Sequence, residues 1–339
     1  MVLLIMNINE DKKYFSIKEI SFGKYKGHIL LNNNTGESIE VIYTHGLTIK
    51  SIRMLFNNEK LFDVIHGHTS PEELELKPFA FSSTLMIPYV GRIYKGRYKF
   101  QGKEYTLPIN TNEGHSIHGL LYNKSWSVKS IEDGEKASTS YIYNIHENDF
   151  NGYPFNLNVE VKIYFNINGL TILTKAINSG NTPLPIVFGW HPYLRVSNKG
   201  INDCYLLASF KKLVHTNVEK IPTGELINIS NTKFDFNIAK KLNKIILDNV
   251  FTELRYINGV ASIKFYNPEE NIGIELWQNE TYKYNILYTP SHRKSIAIEP
   301  ITGAPNAFNI PELGLKILQP NEIIEGVFGI RKLFLKMTK

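Results

Sequence analysis

Five chemically capable side chains of this 339-residue chain stand inside segments that otherwise read as apolar core. Arg92 lies in Pro88-Tyr-Val-Gly-Arg92-Ile93, and His118 in His115-Ser-Ile-His118-Gly119. His191 lies in Phe188-Gly-Trp190-His191-Pro192-Tyr193, Asp248 in Leu247-Asp248-Asn-Val-Phe251, and Glu299 in Ile296-Ala-Ile-Glu299-Pro-Ile-Thr302. A carboxylate and an imidazole are a common pair for moving protons near neutral pH, and an arginine or a second imidazole can stabilise charge as it shifts. Glu299 ends an apolar run at a Pro/Gly-rich bend, a place typical of strand-end catalytic groups. Each residue alone also fits an ordinary structural role. His191 fits a hydrogen-bonded core histidine, Glu299 a carboxylate accepting backbone N–H groups, and Asp248 a turn or cap residue. Trp190 and Trp277 fit core aromatics, although a Trp face is also a platform for a sugar ring, which makes Trp277 a candidate substrate contact. Spacing by itself does not choose among these roles.

Other chemistries lack their residues. The chain has no Gly-x-Gly-x-x-Gly, no Walker-type loop, no His-Glu-x-x-His and no Gly-x-Ser-x-Gly. Cys204 is the only cysteine, which excludes an intrachain disulfide and a cysteine-based zinc site. His115 and His118 have no third ligand nearby in sequence, so no metal is assigned to them. The formal charge of +6 is spread over lysines that mostly neighbour acids. Its densest patches, Lys211-Lys212, Lys240-Lys241 and His292-Arg293-Lys294, are short, and no nucleic-acid partner is expected. Met1–Met6 is apolar but lacks a basic flank and is far shorter than a membrane span. The expectation is a soluble, cytoplasmic protein with no membrane partner.

Strands must position these groups, because helical periodicity is scarce. Val159–Phe165 alternates apolar and polar residues, breaks at Asn168-Gly169 and resumes as Leu170–Ile177. Asn-Gly between alternating runs is a strong hairpin signal. Hairpins are also predicted for Arg97–Phe100 with Lys103–Leu107 about Gln101-Gly102, and for Phe251–Ile257 with Val260–Tyr266 about Asn258-Gly259. The best helix candidate is Pro71–Leu76, with Ser70 as N-cap and acids in its first turn, and a short turn is expected near Ile310–Leu313. No linker or repeat divides the chain. Many short strands with close turns predict one large antiparallel β-sandwich or barrel spanning residues 1–339, with few short helices.

Taken together, the polar segments resemble the aldose 1-epimerase (galactose mutarotase) family from about Ile87 to the C-terminus. Gly91-Arg92-Ile93 followed by Gly96, Tyr98 to Leu107 and Ile117-His118-Gly119 is similar to the family's early block. His191-Pro192-Tyr193-Leu194, Asp248-Asn-Val-Phe251 and Glu299-Pro300-Ile301-Thr302 resemble three later blocks in the family's order. The Gly-Trp-His-Pro-Tyr and Glu-Pro-Ile-Thr forms look closer to its bacterial mutarotase-like branches than to the best-studied galactose enzymes. The resemblance implies a galactose mutarotase-like supersandwich with an open cleft on one sheet, a monosaccharide substrate and no cofactor or metal. It implies Glu299 as general base and His191 as general acid, with His118, Arg92 and Asp248 holding the sugar. A monomer or homodimer is expected. One departure stands out: Gly91 occupies the place where the family often has an Asn that would contact sugar hydroxyls.

That chemistry suits the residue types. A pyranose opens when the anomeric O1–H loses a proton while the ring oxygen O5 gains one. A carboxylate near O1 and an imidazole near O5 do both together. The freed aldehyde rotates about C1–C2 and closes on its other face. The nearest rival is a hexose-6-phosphate 1-epimerase, which needs extra cations, for which Arg195 and His292-Arg293-Lys294 are candidate sources. A non-catalytic carbohydrate-binding protein is a third possibility, and it would not need a paired acid and base.

Overall fold

The computed structural model describes residues 14–57, 59–76 and 81–335. The apolar opening Met1–Met6 lies outside them. Strands alternate inward apolar with outward polar side chains, because successive residues of an extended chain point to opposite faces. In Leu157–Asn166 the inward set is Leu157, Val159, Val161, Ile163 and Phe165, all buried. This strand pairs along its length with Gly169–Asn178, as the sequence predicts, but the turn sits one residue early. Asn166 pairs with Gly169, so Ile167 and Asn168 form the turn and only Gly169 takes a positive φ, +107°.

The Gln101-Gly102 hairpin forms as expected, with both turn residues at positive φ (49° and 80°) between Arg97–Phe100 and Lys103–Thr106. The Phe251–Ile257 pairing does not. Asp248–Thr252 pairs with Lys212–Thr216 and Tyr284–Tyr288, while Val260–Asn267 pairs with Ile272–Asn279; only Ile257 bridges to Val260 across Asn258-Gly259. The Pro71–Leu76 helix also shortens to one 3₁₀ turn, Pro71–Leu74, and Ser70 makes no side-chain cap bond. Instead Glu73 reaches back and accepts from the Thr69 amide at 2.6 Å. Pro311–Leu313 is the expected short turn.

The strands form an all-β, antiparallel architecture. A five-stranded meander runs from Phe15–Phe22 to Lys60–Asp63, followed by nine- and eight-stranded sheets that face each other. Trp190 of the eight-stranded sheet stacks on Phe328 of the nine-stranded one, with ring centroids 5.4 Å apart, and its Nε1 donates to the Ser83 carbonyl at 3.0 Å. Between the sheets, Asn285 donates to Gln278 Oε1 at 2.9 Å. One apolar cluster continues from Phe15 to Ile330.

The eight-stranded sheet sets the geometry that matters for chemistry. Asp248–Thr252, Tyr284–Tyr288 and Ile296–Ile301 are successive neighbours, and Gly189–Trp190 and Tyr193–Leu194 both pair with the last of them. Val250 lies opposite Ile286, which lies opposite Glu299; two residues along, Asp248 lies opposite Tyr288, which lies opposite Ala297. These side chains share one face. Their neighbours Phe251, Leu287 and Ile298 turn the other way and are fully buried.

His118 is set from a separate loop. Its amide donates to the Gly91 carbonyl at 3.1 Å, and the Leu120 amide donates to Ile87 O at 2.7 Å. Between them Gly119 has φ +79°, and a Cβ there would lie 2.3 Å from Ile87 O and 2.5 Å from Ile87 N. Gly119→Ala is therefore expected to cost about 2 kcal/mol or more, since the left-handed conformation and a backbone clash act together. A urea midpoint equal to that of the parent protein would contradict this.

Candidate active site

Glu299, His191, His118, Arg92 and Asp248 all line one cavity of about 480 Å³. Glu299 and Asp248 come from strands of the same sheet, and His191 follows directly from Gly189–Trp190. The His191 backbone is clamped on both sides, its amide donating to Thr84 O (3.1 Å) and its carbonyl accepting from the Ser83 amide (2.7 Å). Thr302 ties the Glu299 segment to this one, accepting from the Phe188 amide at 3.0 Å. Arg92 enters from the short Arg92–Ile93 strand, which pairs with Ser116–Ile117.

At the cavity floor Glu299 Oε1 lies 3.6 Å from His191 Nε2, and both residues are buried. Burial, with the Asp248 charge as a smaller cause, holds the Glu299 carboxyl well above its ordinary range. Burial pushes His191 down to about 4. Burial thus disfavours the charged form of each group. Two of their polar atoms, Glu299 Oε2 and His191 Nδ1, have no hydrogen-bond partner within the protein. A buried carboxyl oxygen left unpaired is costly, and a ligand's donor would relieve it.

His118 packs edge-on against His191, with centroids 4.7 Å apart, and Phe81 rests on it at 5.1 Å. Burial first, then the His191 and Arg92 charges, keep it neutral by holding it well below the usual imidazole value. Its Nδ1 lies 2.9 Å from Met86 Sδ. A thioether only accepts, so this contact assigns the ring hydrogen to Nδ1 and leaves Nε2 as an acceptor. At the mouth, Asp248 Oδ2 is 3.3 Å from Lys220 Nζ, and both side chains are partly exposed.

Trp277 does not belong to this cavity. It lies on Ile272–Asn279 of the nine-stranded sheet, where its neighbour Gln278 reaches across to Asn285. The period of two turns Trp277 to the opposite face, with its indole over Gly329. His115 does not line the cavity either: its Nδ1 accepts from the Lys95 amide at 3.1 Å. Among the described residues no group of three or more His, Cys, Asp or Glu is placed to hold a metal ion. No helix among them is long and apolar enough to cross a membrane.

Several lining residues escape sequence reasoning. Tyr193 and Tyr288 flank the pair, and a signal existed for Tyr193 beside His191-Pro192. Tyr288 follows only from strand register, and Lys220 from a hairpin tip whose arrival beside Asp248 leaves no local mark. Gly91 also has a structural counterpart. Its φ is +52°, and a Cβ there would lie 2.3 Å from Pro305 Cγ, so the Pro305 ring occupies the place a side chain would need.

Comparison with known proteins agrees with this fold. A family model described as aldose 1-epimerase matches residues 27–331. The uncharacterized protein YihR of Escherichia coli is 27% identical over 266 residues, covering 77% of this chain and 83% of that protein. Rat galactose mutarotase is 27% identical over 210 residues, 60% of this chain and 58% of its own length, so the match spans less than two thirds of that enzyme. A galactose mutarotase-like protein from Clostridium acetobutylicum superposes with a TM-score of 0.83 at 20% identity, covering 95% of this chain and 99% of its own. Galactose 1-epimerase from Lactobacillus acidophilus gives 0.75 at 18% identity, covering 94% and 99%. At those identities the structural matches speak for the fold.

The buried carboxyl carries a stability consequence. Its folded pKa lies above the unfolded value, so its contribution to stability is whole below the unfolded value and is lost as pH rises through the folded one. Glu299→Gln, which cannot ionise, should gain stability over the parent protein as pH rises above the ordinary carboxyl range. Denaturation midpoints measured over that rise would show a widening gap; a constant gap would mean that Glu299 ionises normally.

Proposed function

The chain belongs to the aldose 1-epimerase family, and we propose that it interconverts the α and β anomers of an unphosphorylated aldose by acid–base ring opening. The observation that carries this is the Glu299–His191 pair, buried and 3.6 Å apart in one cavity. Ring opening removes a proton from O1 and delivers one to O5; reclosure on the other face reverses both transfers. Carboxylate with imidazolium and carboxylic acid with imidazole carry the same number of protons, so the pair regains its starting state whichever member begins as the base. The carboxylate–imidazolium form of the pair, reached when the proton passes from Glu299 to His191, opens the ring: Glu299 takes the O1 proton and His191 protonates O5, and the roles exchange on closing.

The remaining groups bind the ring. His118 Nε2, as an acceptor, takes a hydrogen bond from a sugar hydroxyl rather than donating to O5. Arg92 donates to hydroxyls or to oxygen that gains charge, and Asp248 accepts from hydroxyls at the mouth. These contacts hold O1 and O5 against the pair.

The phosphorylated-sugar alternative loses its proposed cations. Arg195 Nε donates to the Asp63 carbonyl at 2.9 Å, with its guanidinium over the Phe62 ring. Arg293 is occupied by Asn202 and by the carbonyls of Ile245 and Asn243. Neither of them, nor His292 or Lys294, lines the cavity, and Lys220, which does, already faces Asp248.

Polarimetry of freshly dissolved glucose, galactose and other aldoses, beside hexose 6-phosphates, tests the activity directly. Glu299→Gln and His191→Asn should each lower kcat by about 10² or more with KM little changed, because each removes a proton transfer and keeps a hydrogen-bonding group. Their double variant should be little worse than either alone. Near-parental turnover in Glu299→Gln would remove the carboxylate from the chemistry. The kcat profile should fall on the acid side as His191 gains its proton near about 4, and on the alkaline side as Glu299 loses its own. A profile flat across this range would argue against a shared proton.

A further inference from the structure

A second cavity, of about 710 Å³, lies beside the first and takes no part in the proton transfers. The two share a wall built from neighbouring residues. Arg92 and Pro305 line the first cavity, while Tyr94 and Asn306 line the second. Thr216 and Lys220 face the first, while Asn217 and Glu219 face the second. The crest of this wall is the hairpin tip between Lys212–Thr216 and Pro222–Asn228, closed by the Asn217 amide donating to Ile221 O at 2.9 Å. Val218 at its apex is 99% exposed, so the crest stands free in solvent.

The far wall is the Arg97–Phe100 and Lys103–Thr106 hairpin, which pairs with no other strand among the described residues. Arg97 lies opposite Thr106 and Lys99 opposite Glu104, and these four exposed side chains all line the cavity. The alternate residues Tyr98 and Phe100 are buried, anchoring the hairpin to the core. Half-buried Tyr105 lies parallel to Tyr98 at 5.1 Å, and Tyr94, 36% exposed, stands on the shared wall. Exposed tyrosine surface ringed by polar and charged groups suits a sugar, whose C–H face packs on an aromatic ring while its hydroxyls find donors and acceptors.

We propose that the second cavity is a subsite for a further glycosyl unit, so that the reducing-end ring of an oligosaccharide lies at Glu299 and His191 while the next ring lies against Tyr94. The proposal rests on the epimerase function above. In a pyranose C4 is across the ring from C1. With O1 and O5 at the buried pair, O4 therefore faces the mouth, where Asp248 and Lys220 are partly exposed. A 1→4 link leaves the first cavity there and crosses the wall beside Lys220.

The test compares glucose with maltose, cellobiose and lactose in the parent protein and in Tyr94→Ala and Tyr94→Phe. At least one disaccharide should exceed glucose in kcat/KM by about tenfold, through KM, the scale of one aromatic contact. Tyr94→Ala should abolish that advantage and leave glucose within about twofold, while Tyr94→Phe retains it. Glucose turned over with no disaccharide advantage, or Tyr94→Ala lowering both sugars alike, would overturn the subsite. If no sugar is turned over, the epimerase function fails separately. The subsite is then judged by saturation-transfer NMR: transfer to the non-reducing ring that disappears in Tyr94→Ala supports it, and no transfer overturns it.

Discussion

A carboxyl group buried against an imidazole is the constraint on which the rest of this molecule depends. Water would solvate an ionised Glu299 far better than the cavity floor does, and burial is the first cause of the displaced protonation of both Glu299 and His191. Keeping the two groups dry and 3.6 Å apart requires a rigid frame, since neither gains a salt bridge strong enough to hold itself in place. The frame is the strand register of the eight-stranded sheet together with backbone bonds from Ser83, Thr84 and Thr302. Packing of Trp190 on Phe328 fixes that sheet to the other. The core thus stabilises a site that, alone, opposes folding.

The strand period does the sorting. One face of Asp248–Thr252, Tyr284–Tyr288 and Ile296–Ile301 carries the groups with chemistry, and the other carries Phe251, Leu287 and Ile298 into the core. No helix is needed to present a residue, and none longer than one 3₁₀ turn is found among the described residues. Of the groups that this sheet does not supply, Arg92 comes from a short separate strand, and His118 and Lys220 arrive on turns with positive φ, +59° and +62°.

This division explains what could be read from the sequence. Alternation and turn residues reveal strands, so the β architecture was legible, as was the Gln101-Gly102 hairpin. Pairing is less local: the Phe251–Ile257 run looks like a hairpin arm, yet Asp248–Thr252 prefers partners in the other sheet. The five cavity residues stood out because each polar group interrupts an apolar segment. Tyr288 and Lys220 do not interrupt anything, and their positions follow from register and from a distant hairpin tip. Trp277 misled for a related reason. An aromatic suited to a sugar face is equally suited to covering a glycine, and Gly329 opposite it decides the matter.

The contact between Gly91 and Pro305 has an evolutionary side. With the Pro305 ring 2.3 Å from where a Cβ would be, an asparagine at 91 meets both a clash and a left-handed backbone. Pro305 Cβ lies only 2.6 Å from the same point, so exchanging Pro305 for glycine first is what relieves the clash and leaves only the milder backbone strain, which Asn tolerates better than most residues. The two positions are therefore epistatic, and the order of substitution matters. A lineage moving from an amide at this point to the present arrangement, or back, passes through a small residue at one position before it changes the other. Whether an amide can be placed at 91 therefore depends on which of the two positions changes first.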